Sequence, residues 1–266
     1  MKLGAVVTSA LFSLGCSGSP APGPTTKTVA SPTSVPSAIG GEYPLKLRGC
    51  ANAPRDAKSR AMYRVMCDEA NGEACASLAF VLYCGAGIPR DEARAAAVFE
   101  EACTHGSAQG CYVFSGMLMN GEIVPRDVPR AAVLLDKACA GGLADACANL
   151  GLVYRDGLGG RPQDPVLAFT FLKRACDEKS AHGCESLGMF YLEGVGTRKD
   201  EALAVRLFEA ACADGQVQAC VNAGVCHYKG VSVPRDTTKA RAFFERACKA
   251  GKRDGCDALA QIAQEP

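Results

Sequence analysis

The sequence predicts an all-α fold, an α/α solenoid of antiparallel helix pairs stapled by disulfides. Three observations predict it. Cysteines pair at i and i+8 six times: Cys67 with Cys75, Cys103 with Cys111, Cys139 with Cys147, Cys176 with Cys184, Cys212 with Cys220, and Cys248 with Cys256. The first member of each pair recurs after 36, 36, 37, 36 and 36 residues. Glycine follows the second cysteine by ten residues (Gly85, Gly121, Gly157, Gly194, Gly230), and aspartate precedes the first by twelve (Asp91, Asp127, Asp164, Asp200, Asp236). A beat of this length marks stacked repeats, because one helix pair cannot bury its apolar face alone.

Each recurring position has a physical task. The aspartate is an N-cap, its carboxylate accepting orphan N–H groups at the positive helix end. Ala95, Ala131, Ala168, Ala204 and Ala240 lie four residues on; Phe99, Leu135, Leu172, Phe208 and Phe244 lie eight on; the cysteine lies twelve on. That row is one face of a helix. A turn follows, with Gly106, Gly142, Gly215 and Gly251 three residues past the cysteine and Lys179 in the corresponding place. The second cysteine then opens another helix. It carries Leu78, Phe114, Leu150, Leu187, Ala223 and Leu259 at +3, and Ala79, Ser115, Gly151, Gly188, Gly224 and Ala260 at +4, where a small residue lets a neighbour approach. The glycine at +10 stops it. We call the helix that starts at the second cysteine helix A and the one that ends at the first cysteine helix B. The repeat domain spans residues 42–266, with a leading helix B at 57–68, five repeats over about 73–254 and a trailing helix A at 255–264. The expected shape is a right-handed superhelix with a concave face.

The cysteines explain themselves by geometry. Inside one continuous helix an eight-residue spacing separates two side chains by about 12 Å, too far for a bond. Across a tight turn between antiparallel helices it brings them face to face, so each bridge joins helix B of one repeat to helix A of the next. A nine-residue loop implies about 2.5 kcal/mol per bridge in the chain-entropy model. Of the remaining cysteines, Cys84 ends the first helix A and Cys50 precedes the leading helix B, which makes a Cys50–Cys84 bridge geometrically reasonable. Cys226 is left over, read as a free thiol that fills a buried apolar place; a reactive thiol or an intermolecular bridge is the alternative. Zinc sites favour Cys-x2–4-Cys spacing, so the pairs read as disulfides and no metal or other cofactor is expected.

The 16 cysteines in 266 residues point to an oxidising compartment. Residues 1–16 read MKLGAVVTSALFSLGC: one lysine, an apolar run too short to span a bilayer, then Leu14-Gly15-Cys16. This resembles a bacterial lipobox with Ser13 in place of the usual leucine, which makes Cys16 the lipidation candidate; plain secretion is the alternative. Residues 17–41 are rich in Pro, Ser, Thr and Ala and are expected to form a disordered linker. The chain is therefore expected in the bacterial envelope or secreted, held to a membrane by its lipid only. A formal net charge of +1 gives no reason to expect nucleic acid.

Leu150-Gly151-Leu152-Val153-Tyr154-Arg155-Asp156-Gly157, Leu187-Gly188-Met189-Phe190-Tyr191-Leu192-Glu193-Gly194 and Lys239-Ala240-Arg241-Ala242-Phe243-Phe244-Glu245-Arg246-Ala247-Cys248 resemble Sel-1-like repeats, cousins of tetratricopeptide repeats. The paired cysteines resemble the secreted branch typified by the Helicobacter cysteine-rich proteins. His227 departs from the pattern by standing where Tyr154 and Tyr191 stand. The resemblance implies an interaction scaffold that holds a protein, a peptide or a cell-wall component. It also implies a second reading, penicillin binding or β-lactam hydrolysis, for which no Ser-x-x-Lys exists. Thr170 and Lys173 have only the spacing, and the three histidines sit on different repeats. The +8 positions of helix A, Tyr83, Met119, Arg155, Leu192 and Tyr228, are the candidate concave-face contacts; packing beneath the neighbouring loop is the competing role for them.

Overall fold

The computed structural model describes Cys50 and residues 53–264. The export signal, Cys16 and the linker predicted from the sequence lie outside those residues. Among the described residues there are twelve helices and no strand: α1 (Ala57–Asp68), α2 (Gly72–Cys84), α3 (Glu92–Thr104), α4 (Ala108–Asn120), α5 (Val128–Ala140), α6 (Ala144–Asp156), α7 (Pro165–Asp177), α8 (Ala181–Glu193), α9 (Glu201–Ala213), α10 (Val217–Lys229), α11 (Thr237–Lys249) and α12 (Arg253–Ile262). Odd numbers are helix B and even numbers helix A. This is the repeat helical solenoid class that the sequence predicts. The helices fall into two compact units, an N-terminal one that ends at Gly183 and a C-terminal one from Cys184.

Every helix B starts on its aspartate. Asp56, Asp91, Asp127, Asp164, Asp200 and Asp236 each accept a hydrogen bond from the backbone N–H three residues on, at 2.7–3.0 Å. Such a cap contributes about 1 kcal/mol. Helix A is capped less regularly: Asn71, Ser107 and Ser180 accept from the N–H three residues later, whereas Leu143, Gln216 and Lys252 have no side-chain cap.

The inner row of helix B is fully packed. Phe99, Leu135, Leu172 and Phe208 are 0% exposed and Phe244 is 1% exposed. Their room comes from the small residue at +4 of helix A. A Cβ on Gly224 would lie 2.6 Å from Phe244 Cε1, and one on Gly151 would lie 2.9 Å from Leu172 Cγ. The core is thus a run of aromatic or leucine side chains set against glycine, alanine or serine.

The turn from helix B to the next helix A needs a left-handed residue. Gly106, Gly142, Gly215 and Gly251 supply it with φ of 85–91°. Lys179 keeps the same turn at φ 70°, and Ala70 does so at φ 62° in the first copy. The departure noted in the sequence leaves the turn intact and puts strain of about 1 kcal/mol into it.

These turns bring the cysteines together. Cα–Cα separations are 4.6 Å for Cys67–Cys75, 4.4 Å for Cys103–Cys111, 4.6 Å for Cys139–Cys147, 4.6 Å for Cys212–Cys220 and 4.7 Å for Cys248–Cys256. All are disulfides in the structure. Cys50 is joined to Cys84 at 5.5 Å, fixing the segment ahead of α1 to the end of α2, where Ala53 packs with Val81 and Ala86.

Candidate ligand-binding face

Polar side chains link successive helix A elements. In the N-terminal unit Asn149 Nδ2 on α6 donates to the Tyr112 hydroxyl on α4 at 3.4 Å. In the C-terminal unit Asn222 Nδ2 on α10 donates to Glu185 Oε1 on α8 at 2.8 Å, and Gln218 Nε2 donates to Asn222 Oδ1 at 3.3 Å. Asn149 and Asn222 hold the same register place, two residues past the second cysteine. Both are buried, as is Glu185. Burying such groups costs free energy unless they are hydrogen-bonded, and their mutual bonds hold them in fixed orientations.

The +8 positions divide. Tyr83, Met119 and Leu192 are buried, at 7%, 6% and 4% exposure, so the structure removes them from the contact candidates. The cause is visible for two of them. The arginine of the Pro-Arg-Asp loop folds back over the helix end: the Arg90 guanidinium lies 5.3 Å from the Tyr83 ring centre, and Arg126 Nε donates to the Met119 carbonyl at 3.1 Å. Tyr228 is covered by Arg235 in the same way, at 5.2 Å, but stays half-buried. Arg155 is half-buried and forms a two-pronged pair with Asp156 at 2.7 and 2.8 Å. The structure leaves Arg155 and Tyr228 as the partly accessible members of the set.

Two corners beside this face share a plan. Tyr154 on α6 stacks on Phe171 at 5.6 Å with 6° between the planes. Its hydroxyl accepts from Arg161 Nη1 at 2.6 Å, and Arg161 is ion-paired with Asp136. His227 on α10 stacks on Phe243 at 5.6 Å and 12°. Its Nε2 lies 2.6 Å from Glu209 Oε1, and its buried Nδ1 has no hydrogen bond among the described residues. A carboxylate accepts, so Nε2 carries the proton.

His182 lies in the first turn of α8. Burial holds its imidazole below the ordinary histidine value; Asp145 opposes this and Arg155 adds to it. The neighbouring Ser180 hydroxyl is committed, donating to Asp145 Oδ1 at 2.5 Å while accepting from the Gly183 N–H. Thr170 Oγ1 donates back to the Val166 carbonyl at 2.9 Å and Lys173 Nζ pairs with Asp177 at 2.7 Å, both on the exposed side of α7. Neither arrangement prepares a nucleophile with a base. Cys226 is buried on α10.

The Sel1 repeat model matches residues 72–107, 111–143, 144–180, 181–216 and 217–252. The chain belongs to the Sel1 repeat family. Among solved structures it is similar to a protective antigen of uropathogenic Escherichia coli displaying an SLR fold, at 26% identity and a TM-score of 0.65, over 76% of this chain and 43% of that one. A Sel1 repeat protein from Oxalobacter formigenes matches at 18% identity and a TM-score of 0.68, over 78% of this chain and 88% of its own. Helicobacter pylori cysteine-rich protein B matches at 25% identity and a TM-score of 0.39, over 48% of this chain and 90% of its own. No curated protein matches. Sel1 repeats are as a rule interaction scaffolds without catalytic machinery, and the many disulfides fit an extracellular or periplasmic protein. No described helix is long and apolar enough to cross a membrane.

Proposed function

We propose that this Sel1 repeat protein is exported, anchored to a bacterial membrane through a lipid on Cys16, and binds a protein, a peptide or a cell-wall component on its helix A face. The observation that carries this reading is the partly accessible pair on helix A, Arg155 in one unit and Tyr228 in the other. The buried bonds of Asn149 to Tyr112 and of Asn222 to Glu185 and Gln218 hold the helices that carry them. A face whose helices are fixed in place ahead of binding costs little further ordering when a ligand arrives. Export is supported by the bridges and by the Leu14-Gly15-Cys16 signal.

The test is site-specific photo-crosslinking in the envelope. A crosslinker at Arg155 or Tyr228 is expected to capture one defined partner. The same group at Val133 or Val166, exposed on helix B, is expected to capture none. Equal capture from both faces, or none from helix A, would refute the assignment of the face.

A further inference from the structure

In two repeats an arginine two places before the first cysteine reaches back to the preceding bridge. Arg174 shows this directly: Nη2 donates to the Cys139 carbonyl at 3.1 Å and Nη1 lies 3.6 Å from Cys139 Sγ. Arg246 repeats it, donating to the carbonyl of Ala213 beside Cys212 at 2.9 Å. Lys137 holds the same register place on α5. A cation in that place disfavours any metal ion at the sulfurs.

The first bridge is built otherwise. The residue is Glu101, and a carboxylate oxygen of Glu101 and the sulfurs of Cys67 and Cys75 all lie within 4.8 Å of one another. One helical turn further on, His105 places Nε2 3.7 Å from Glu101 Oε1. The equivalents of His105 after Lys137, Arg174 and Arg246 are Gly141, Glu178 and Ala250, none of them an imidazole. The start of α2 is pressed against this corner: a Cβ on Gly72 would lie 2.6 Å from the His105 carbonyl oxygen. Among the described residues, this bridge alone has a carboxylate oxygen within 4.8 Å of both sulfurs.

We propose that Cys67, Cys75 and Glu101 form a zinc site when the Cys67–Cys75 bridge is reduced, with His105 beside Glu101 turning in as the fourth donor. Two thiolates and one carboxylate already lie together, and the imidazole completes a set that suits tetrahedral Zn²⁺. A dithiol reductant gives two electrons and two protons to the bridge, leaving two thiols and becoming a disulfide itself. Zn²⁺ then displaces the two thiol protons. The bridge and the metal are alternative staples for the same corner, joining α1 and α2 and, in the metal form, α3 as well. This inference rests on the corner's geometry and is independent of the ligand-binding reading.

The full chain, reduced with a phosphine that leaves as its oxide, is titrated with Co²⁺ in the absence of oxygen. The reduced chain is expected to show thiolate-to-cobalt charge transfer and tetrahedral d–d bands that Zn²⁺ abolishes; the oxidised chain is expected to show neither. Because Glu101 and His105 are exposed, Glu101→Gln with His105→Gln leaves the packing untouched and is expected to weaken binding about tenfold or more. Cys67→Ser with Cys75→Ser is expected to remove this site's band. Should that variant lose its helical signal, the Glu101/His105 variant decides alone. Binding by the oxidised chain, or unchanged affinity in the Glu101/His105 variant, would overturn the proposal.

Discussion

The Tyr154 corner and the His227 corner occupy the same register place in different units and solve the same problem in different ways. In both, a ring seven residues past the second cysteine stacks on an aromatic ring of helix B at 5.6 Å. In both, an acid three residues before a first cysteine, Asp136 or Glu209, terminates the polar chain. At Tyr154 the link runs through Arg161; at His227 the ring reaches the acid directly. The relay comes with the single 37-residue spacing: the loop from Gly157 to Gln163 is one residue longer than its counterparts, and Arg161 lies in it. The repeat fixes backbone and stacking, while its polar chemistry is set by single residues and can change without disturbing the stack.

The largest expected effect comes from removing either ring. His227→Ala empties a place only 3% exposed and removes the ring stacked on Phe243, and is expected to cost about 3 kcal/mol in denaturant unfolding. Tyr154→Ala, at a half-buried ring, is expected to cost about 2 kcal/mol. Changes under about 0.5 kcal/mol at both would mean that neither corner holds its helices. The relay itself is smaller. Tyr154→Phe and Arg161→Ala are each expected to cost about 1 kcal/mol, and their effects should be less than additive in a double-mutant cycle because they break one chain. Additive losses would place Arg161 outside the Tyr154 network.

Much of this was legible in the sequence because it is periodic. Spacing of 36 or 37 residues, the aspartate caps and the small residue at +4 each imply one element or one contact, and the fold class follows from their agreement. At the +8 positions Tyr83, Met119 and Leu192 take the packing role, and a stretch of sequence does not say what folds back over it. The signal was present in Pro89-Arg90-Asp91, Pro125-Arg126-Asp127 and Pro234-Arg235-Asp236, whose aspartates were read as caps while their arginines were passed over. The polar row was harder to find. Asn149 and Asn222 share a register place, yet the same place holds Ser77, Val113 and Ser186, so no period announces it. The Glu101–His105 corner is likewise the one acidic departure from a place held by Lys137, Arg174, Ala210 and Arg246 elsewhere, visible only once the turn has brought α3 against the first bridge.

Turn residues extend the comparison from corners to strain. Lys179→Gly is expected to stabilise by about 1 kcal/mol, since φ 70° costs lysine what it does not cost glycine; Gly142→Ala, at φ 85°, is expected to lose about as much. Equal stability of both variants with the parent would show that the turns are not held in this conformation.

The smallest effect is a pH dependence. Because His182 is held below the ordinary value of 6.5, the unfolded chain binds its proton more readily than the folded one. Stability should therefore rise with pH across that range and be lost as pH falls from about 6.5 towards the folded value, below which the loss is complete. His182→Gln is expected to flatten this limb of the stability profile. A profile unchanged by the substitution would remove His182 as its source.

The central claim is that each bridge ties helix B to the next helix A across one turn. Its most direct test is disulfide mapping of the native chain by proteolysis without reductant and mass spectrometry. The expected linked peptides join Cys67 to Cys75, Cys103 to Cys111, Cys139 to Cys147, Cys176 to Cys184, Cys212 to Cys220, Cys248 to Cys256 and Cys50 to Cys84. Peptides linking cysteines one repeat apart, such as Cys103 to Cys139, or free thiols at these pairs in the folded chain, would contradict it.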